Sequence, residues 1–138
     1  MLEFELGKDK DPNPAPVQGR KRQVLVVDDN KAVQDVLSRM IALLGYDVTV
    51  AGNGLEGGTL FVTGSYDLVV TDVQMPLMNG WELSRIVKER SPNTPVIVVT
   101  GLPEGNHGEK PGETCVDAVI PKPFRVEEFE RTVQRLMK

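Results

Sequence analysis

The 138-residue chain holds a single cysteine and a single histidine, which leaves little material for a disulfide or for thiol chemistry. Cys115 has no partner with which to close a bridge and no Cys/His/Asn set around it, so it reads as a small structural side chain. His107 lies in PEGNHGEKPG, where no apolar residue builds a pocket, and reads as a solvated loop residue. Long apolar runs are missing: none approaches the roughly 20 residues that cross a bilayer, and no secretory hydrophobic stretch follows Met1. The expected compartment is a reducing cytoplasm. Excess positive charge is missing too, since 16 Lys and Arg stand against 20 Asp and Glu for a net charge of −4. Without a basic field, direct binding to a nucleic-acid backbone is not expected. Nor does any GxxxxGK[ST] or similar glycine-rich loop follow a strand, which argues against a nucleotide-using kinase.

What is present is an ordinary globular balance, 40% hydrophobic and 26% charged, in a chain of one-domain length. Residues 1–22, rich in Pro, Gly, Lys and Asp, read as a tail or linker in which only Leu2, Phe4 and Leu6 alternate as a strand would. Residues 23–138 form the domain. VLVV at 24–27 is a short apolar run bounded by polar residues, as a strand buried on both faces requires. Val33, Val36, Leu37, Met40, Ile41 and Leu44 then recur at helical steps up to Gly45. The alternation continues with strands at 47–51, 66–72, 95–100 and 117–120, and with helices at about 55–62, 80–90 and 126–137. Strands alternating with helices predict an α/β fold, a doubly wound five-stranded parallel sheet with right-handed crossovers. Its fourth helix should be weak or missing, because residues 103–114 contain two prolines, three glycines and no apolar residue to face the sheet.

In such a fold, chemistry collects at the carboxyl ends of the strands. There the polar interruptions of the apolar runs fall: Asp28 and Asp29 after the first strand, Asp72 after the third, Thr100 after the fourth and Lys122 after the fifth. Three gathered carboxylates repel one another unless a cation neutralises them, and oxygen-only ligands with positions left for water or phosphate favour Mg²⁺. Asp29 and Asp72 would bind it directly, Asp28 directly or through water. An aspartate beside such an ion can act as a nucleophile toward phosphorus. Thr100 and Lys122 would each serve a phosphoryl oxygen, and the N–H groups of Val73 and Gly101 would complete the cradle, with Gly101 leaving room beside the last amide. Pro76 and Gly80 read as structural, Trp81 as a partly exposed helix residue, and Asn30 or a neighbour as the cap of the first helix.

VLVVDDN, LVVTDVQMPLMNGWEL, VIVVTG and IPKPF, in this order over residues 23–137, resemble the response regulator receiver domain. The resemblance implies a flavodoxin-like (βα)₅ fold and transfer of a phosphoryl group to Asp72 from a histidine kinase or a histidine phosphotransfer protein. It also implies a metal contact from the backbone carbonyl of Gln74 and a cis Lys122–Pro123 bond. Slow hydrolysis is expected, since Leu102 cannot bind a water as Gln74 can. The family's usual switch aromatic is replaced by Val119, so phosphorylation is expected to act by ordering residues 103–114. Output would pass through a partner or a neighbouring domain.

Three rivals use the same architecture. A phosphatase of the haloacid dehalogenase type would need an acid two residues after its nucleophile, where this chain has Gln74. A flavodoxin-like small-ligand binder leaves Lys122 and the three acids unexplained. A receiver-like module working without phosphorylation leaves the complete acceptor set unexplained.

Overall fold

The computed structural model describes residues 21–101 and 116–137. Its elements are β1 (Gln23–Val27), α1 (Lys31–Leu43), β2 (Asp47–Ala51), α2 (Gly54–Thr63), β3 (Leu68–Thr71), α3 (Gly80–Arg90), β4 (Val96–Thr100), β5 (Ala118–Pro121) and α4 (Val126–Leu136). The strands form one parallel sheet in the order β2-β1-β3-β4-β5. From β1 the chain crosses to β2 on one side and then returns to β3 on the other. The direction of winding therefore reverses between β1 and β3, which opens a crevice above their carboxyl ends.

Side chains of a strand alternate between faces, and the core follows that period. Val24, Val26, Leu68, Val70, Ile97, Val99 and Ile120 share one cluster with Leu37, Met40 and Ile41 of α1 and Phe129 and Val133 of α4. Leu25, Val27, Val69 and Val96 share the other with Phe61 of α2 and Leu83 and Val87 of α3. Helices thus cover both faces, and β1, β3 and β4 are apolar almost throughout because neither side meets water. Truncating a fully buried residue such as Phe129 to Ala is expected to cost about 3–5 kcal/mol.

Three helices start in the same way. Asn30, Asn53 and Asn79 each accept, through the side chain, the N–H three residues on, at 3.1 Å from Val33, 2.8 Å from Glu56 and 2.8 Å from Glu82. All three caps follow strand ends or the loop beyond one, so the first turns of α1, α2 and α3 ring the crevice. Gly54 is required where α2 meets the loop before α3, because a Cβ there would lie 2.1 Å from the Met78 carbonyl oxygen.

The sequence-derived borders agree with these elements to within a few residues, and one assignment needs correction. Val36 falls on the apolar stripe of α1, yet it is 52% exposed. The face that α1 turns to the sheet is centred on buried Leu37, Met40 and Ile41, with Val33 and Leu44 partly buried beside them, and Val36 lies outside it. The expectation of a weak or missing fourth helix falls in 102–115, outside the described residues, as does the reading of Leu102.

Candidate acidic site at the carboxyl end of the sheet

Backbone hydrogen bonds carry the sheet one residue past the strands and so fix the polar groups at its edge. Asp28 N–H donates to the Ala51 carbonyl at 3.1 Å, Asp72 N–H to that of Val27 at 3.0 Å, and Lys122 N–H to that of Thr100 at 2.7 Å. Asp28, Asp72, Thr100 and Lys122 therefore leave a backbone that cannot shift without breaking one of these bonds. Asp28 is fully buried: its Oδ1 accepts the Asn30 N–H at 2.8 Å, and its Oδ2 lies 3.4 Å from Lys122 Nζ. Asp72 Oδ1 accepts the Val73 N–H at 2.7 Å, and its Oδ2 lies 3.7 Å from the same ammonium. Asp29 is exposed at the mouth.

Asp28, Asp29 and Asp72 each present one carboxylate oxygen, all within 4.8 Å of one another. Thr100 is buried at the end of β4, and Gln74 is exposed in the loop after Asp72. The Lys122–Pro123 bond is cis, as the resemblance implied. Three oxygen donors at this spacing fit a hard divalent ion, whose charge offsets carboxylates that one ammonium cannot neutralise.

The electrostatics of Asp72 reflect its burial and its acidic neighbours. Burial raises its pKa above the ordinary 3.8, and the Asp28 and Asp29 charges push the same way. Lys122 and the Val73 N–H pull it down without cancelling the rise. Proton or cation, this carboxylate favours company.

Two glycines differ in their hold on the site. Gly80 was read only as a helix start, but a Cβ there would lie 2.1 Å from the carbonyl oxygen of Asp72, and its N–H donates to the Val73 carbonyl at 2.9 Å. The start of α3 is thereby pressed against the backbone that carries Asp72. A glycine next to an Asn cap was the only sequence signal for this contact. At Gly101 a Cβ would meet nothing within 4 Å among the described residues.

Trp81 corrects another expectation. It is 3% exposed and fills a small cluster with Val73 and Val98, with Val116 against it. The indole supports the loop after Asp72 from below. Val119, in β5, is 41% exposed.

A sequence profile described as the response regulator receiver domain matches residues 24–134. The chain belongs to that family. As a receiver domain of two-component response regulators it is 32% identical, over 116 residues, to the transcriptional regulatory protein CusR of Escherichia coli K12, covering 84% of this chain and 51% of CusR. The response regulator MprA of Mycobacterium sp. strain KMS matches at 32% over 116 residues, covering 84% of this chain and 50% of MprA. The chain thus spans about half the length of the curated relatives it matches. Among solved structures, the receiver domain of a Francisella response regulator superposes with a TM-score of 0.76 at 32% identity, covering 85% of this chain and 97% of that one. Response regulator TrrA of Thermotoga maritima, solved in complex with Mg²⁺ and beryllium fluoride, gives 0.76 at 27% identity, covering 83% and 98%. The flavodoxin-like receiver fold is confirmed, and the family match favours the receiver reading over the phosphatase one. Among the described residues, no helix is long and apolar enough to cross a membrane.

Proposed function

We propose that Asp72 accepts a phosphoryl group from a phosphohistidine on a histidine kinase or histidine phosphotransfer protein in the cytoplasm. The convergence of Asp28, Asp29, Asp72 and Lys122 at one strand-end crevice is the observation that carries this reading. A carboxylate oxygen of Asp72 forms the new bond to phosphorus as the phosphorus–nitrogen bond breaks, and the departing imidazole nitrogen takes a proton. Lys122 Nζ, 3.7 Å from Asp72, would pair with one phosphoryl oxygen, and Thr100 and the N–H groups of Val73 and Gly101 would serve the others. The Val73 N–H, held by Asp72 Oδ1 in the unmodified protein, exchanges that partner for the incoming group.

Asp28, Asp29, Asp72 and the backbone carbonyl of Gln74 would hold Mg²⁺, an assignment supported by the Mg²⁺ and beryllium fluoride bound to TrrA. When bound, the ion supplies positive charge where carboxylate and phosphoryl oxygens meet. The chain catalyses only its own phosphorylation and dephosphorylation, and it signals through residues 23–138 to a partner or to a domain of the kind its longer relatives carry. Residues 1–22 serve as a tail or linker.

The test is incubation with Mg²⁺ and acetyl phosphate, followed by intact mass. One added phosphoryl group, absent without Mg²⁺ and absent in Asp72→Asn, is the expected outcome. An adduct that persists in Asp72→Asn overturns the assignment.

A further inference from the structure

Helix α4 carries three arginines, Arg125, Arg131 and Arg135, around an open cleft of about 460 Å³ that Glu128 and Thr132 complete. All three arginines are exposed. Among the described residues, no ion pair or hydrogen bond engages their guanidinium groups, although Glu128 stands in the same cleft. Opposite charges three or four residues apart on a helix ordinarily relieve one another. α4 also carries Glu127 and Glu130, and Glu127 stands four residues before Arg131, yet the residues that line the cleft, three arginines and Glu128, keep a net positive charge that the phosphoryl chemistry does not use.

The route of the chain supplies a candidate to cover it. Arg22 Nη1 donates to the Met137 carbonyl at 2.8 Å, so the segment before Lys21 joins the domain beside the end of α4, far along the strands from the acidic site. That segment begins MLEFELGKDKD, with Glu3, Glu5, Asp9 and Asp11 against Lys8 and Lys10. Residues 1–11 thus hold four acidic and two basic side chains, opposite in sign to the cleft lining of three arginines and one glutamate, with Arg20 nearer the domain.

Glu3 and Glu5 stand two apart in the sequence, and Arg131 and Arg135 are neighbours one turn apart on α4. Residues 7–20 span at most roughly 46 Å, while α4 is about 16 Å long, so the connection reaches easily.

We propose that the arginine face of α4 is a docking surface for the acidic amino-terminal stretch of this same chain, with Glu3 and Glu5 pairing with Arg131 and Arg135. Glu128 opposes the contact and keeps it reversible.

The experiment follows amide NMR signals of residues 125–135 in the whole 138-residue chain at low salt. Glu3→Lys with Glu5→Lys is expected to shift these signals, and about 0.5 M NaCl to produce the same shift by screening. Arg131→Glu with Arg135→Glu should lower the docked fraction roughly three- to fivefold, and all four reversals together should restore it. Glu128→Gln should raise it. Signals of α4 that ignore Glu3→Lys with Glu5→Lys overturn the proposal. So does a failure of the fourfold reversal to restore the contact. A shift that grows with protein concentration also overturns it, because the contact would then join two chains.

Discussion

The two ends of the one sheet use the same residue for opposite purposes. At the amino-terminal end, Asp67 accepts the Gln23 N–H at 2.8 Å, Asp117 accepts both the Val96 N–H and the Lys88 ammonium at 2.8 Å, and Asp47 accepts from Gln23 Nε2 at 2.9 Å. Each carboxylate there accepts from its own donor group, Asp67 and Asp47 from the backbone and the side chain of the same Gln23. At the carboxyl end, Asp28, Asp29 and Asp72 crowd within 4.8 Å and share one ammonium. Paired separately, aspartates fasten strands; gathered, they make a site that is incomplete without a cation. Stability and chemistry are thus divided between the ends, as is expected when charge is concentrated for function.

The sharpest way to break the contrast is to remove the ammonium that Asp28 and Asp72 share. Lys122→Met is expected to slow phosphorylation by acetyl phosphate about 100-fold, the scale of losing one preorganised charge partner, with the fold intact by circular dichroism. Unchanged kinetics would remove Lys122 from the chemistry.

Next in size is the packing that holds the crowded end in place. Gly80→Ala sets a methyl group against the Asp72 carbonyl and should cost about 1–3 kcal/mol in urea unfolding. It should also weaken Mg²⁺ binding, because the loop carrying Asp72 must move. Gly101→Ala, where a Cβ meets nothing within 4 Å among the described residues, is the control and should do neither.

These contacts mark the limit of what could be read beforehand. Strand positions were legible because buried parallel strands leave apolar runs such as VLVV and VIVVT between polar ends, and the parallel topology then brought Asp28, Asp29, Asp72, Thr100 and Lys122 to one edge. The order of the strands follows from winding, so residues distant in the chain could be placed together. What could not be read depends on contacts between elements. Trp81 is buried because Val73, Val98 and Val116 meet around it, and no periodicity within α3 shows that. Val36 is exposed although it falls on the apolar stripe, because a helix period does not tell which residues at the edge of the stripe meet the core. Gly80 looked like a helix start, and its close approach to Asp72 emerges only in three dimensions.

A smaller effect distinguishes the ends by pH. Because burial raises the Asp72 pKa above 3.8, the folded protein binds that proton more readily than the unfolded chain. Its contribution to stability is therefore greatest below about pH 4 and declines as pH rises through the folded value. In metal-free buffer, Asp72→Asn should raise the melting temperature at pH 7 by a few degrees and have less effect at pH 4. An equal gain at both values would show that Asp72 does not titrate upward on folding.

The most direct test measures melting temperatures of the wild-type protein, Asp72→Asn and Asp117→Asn, each with and without Mg²⁺. The account predicts that Asp72→Asn melts higher than wild type without the ion and loses most of the Mg²⁺-induced rise, while Asp117→Asn melts lower and keeps that rise in full. If Asp72→Asn retains the full Mg²⁺ response, or if both substitutions shift metal-free stability in the same direction, the division of labour between the two ends is contradicted.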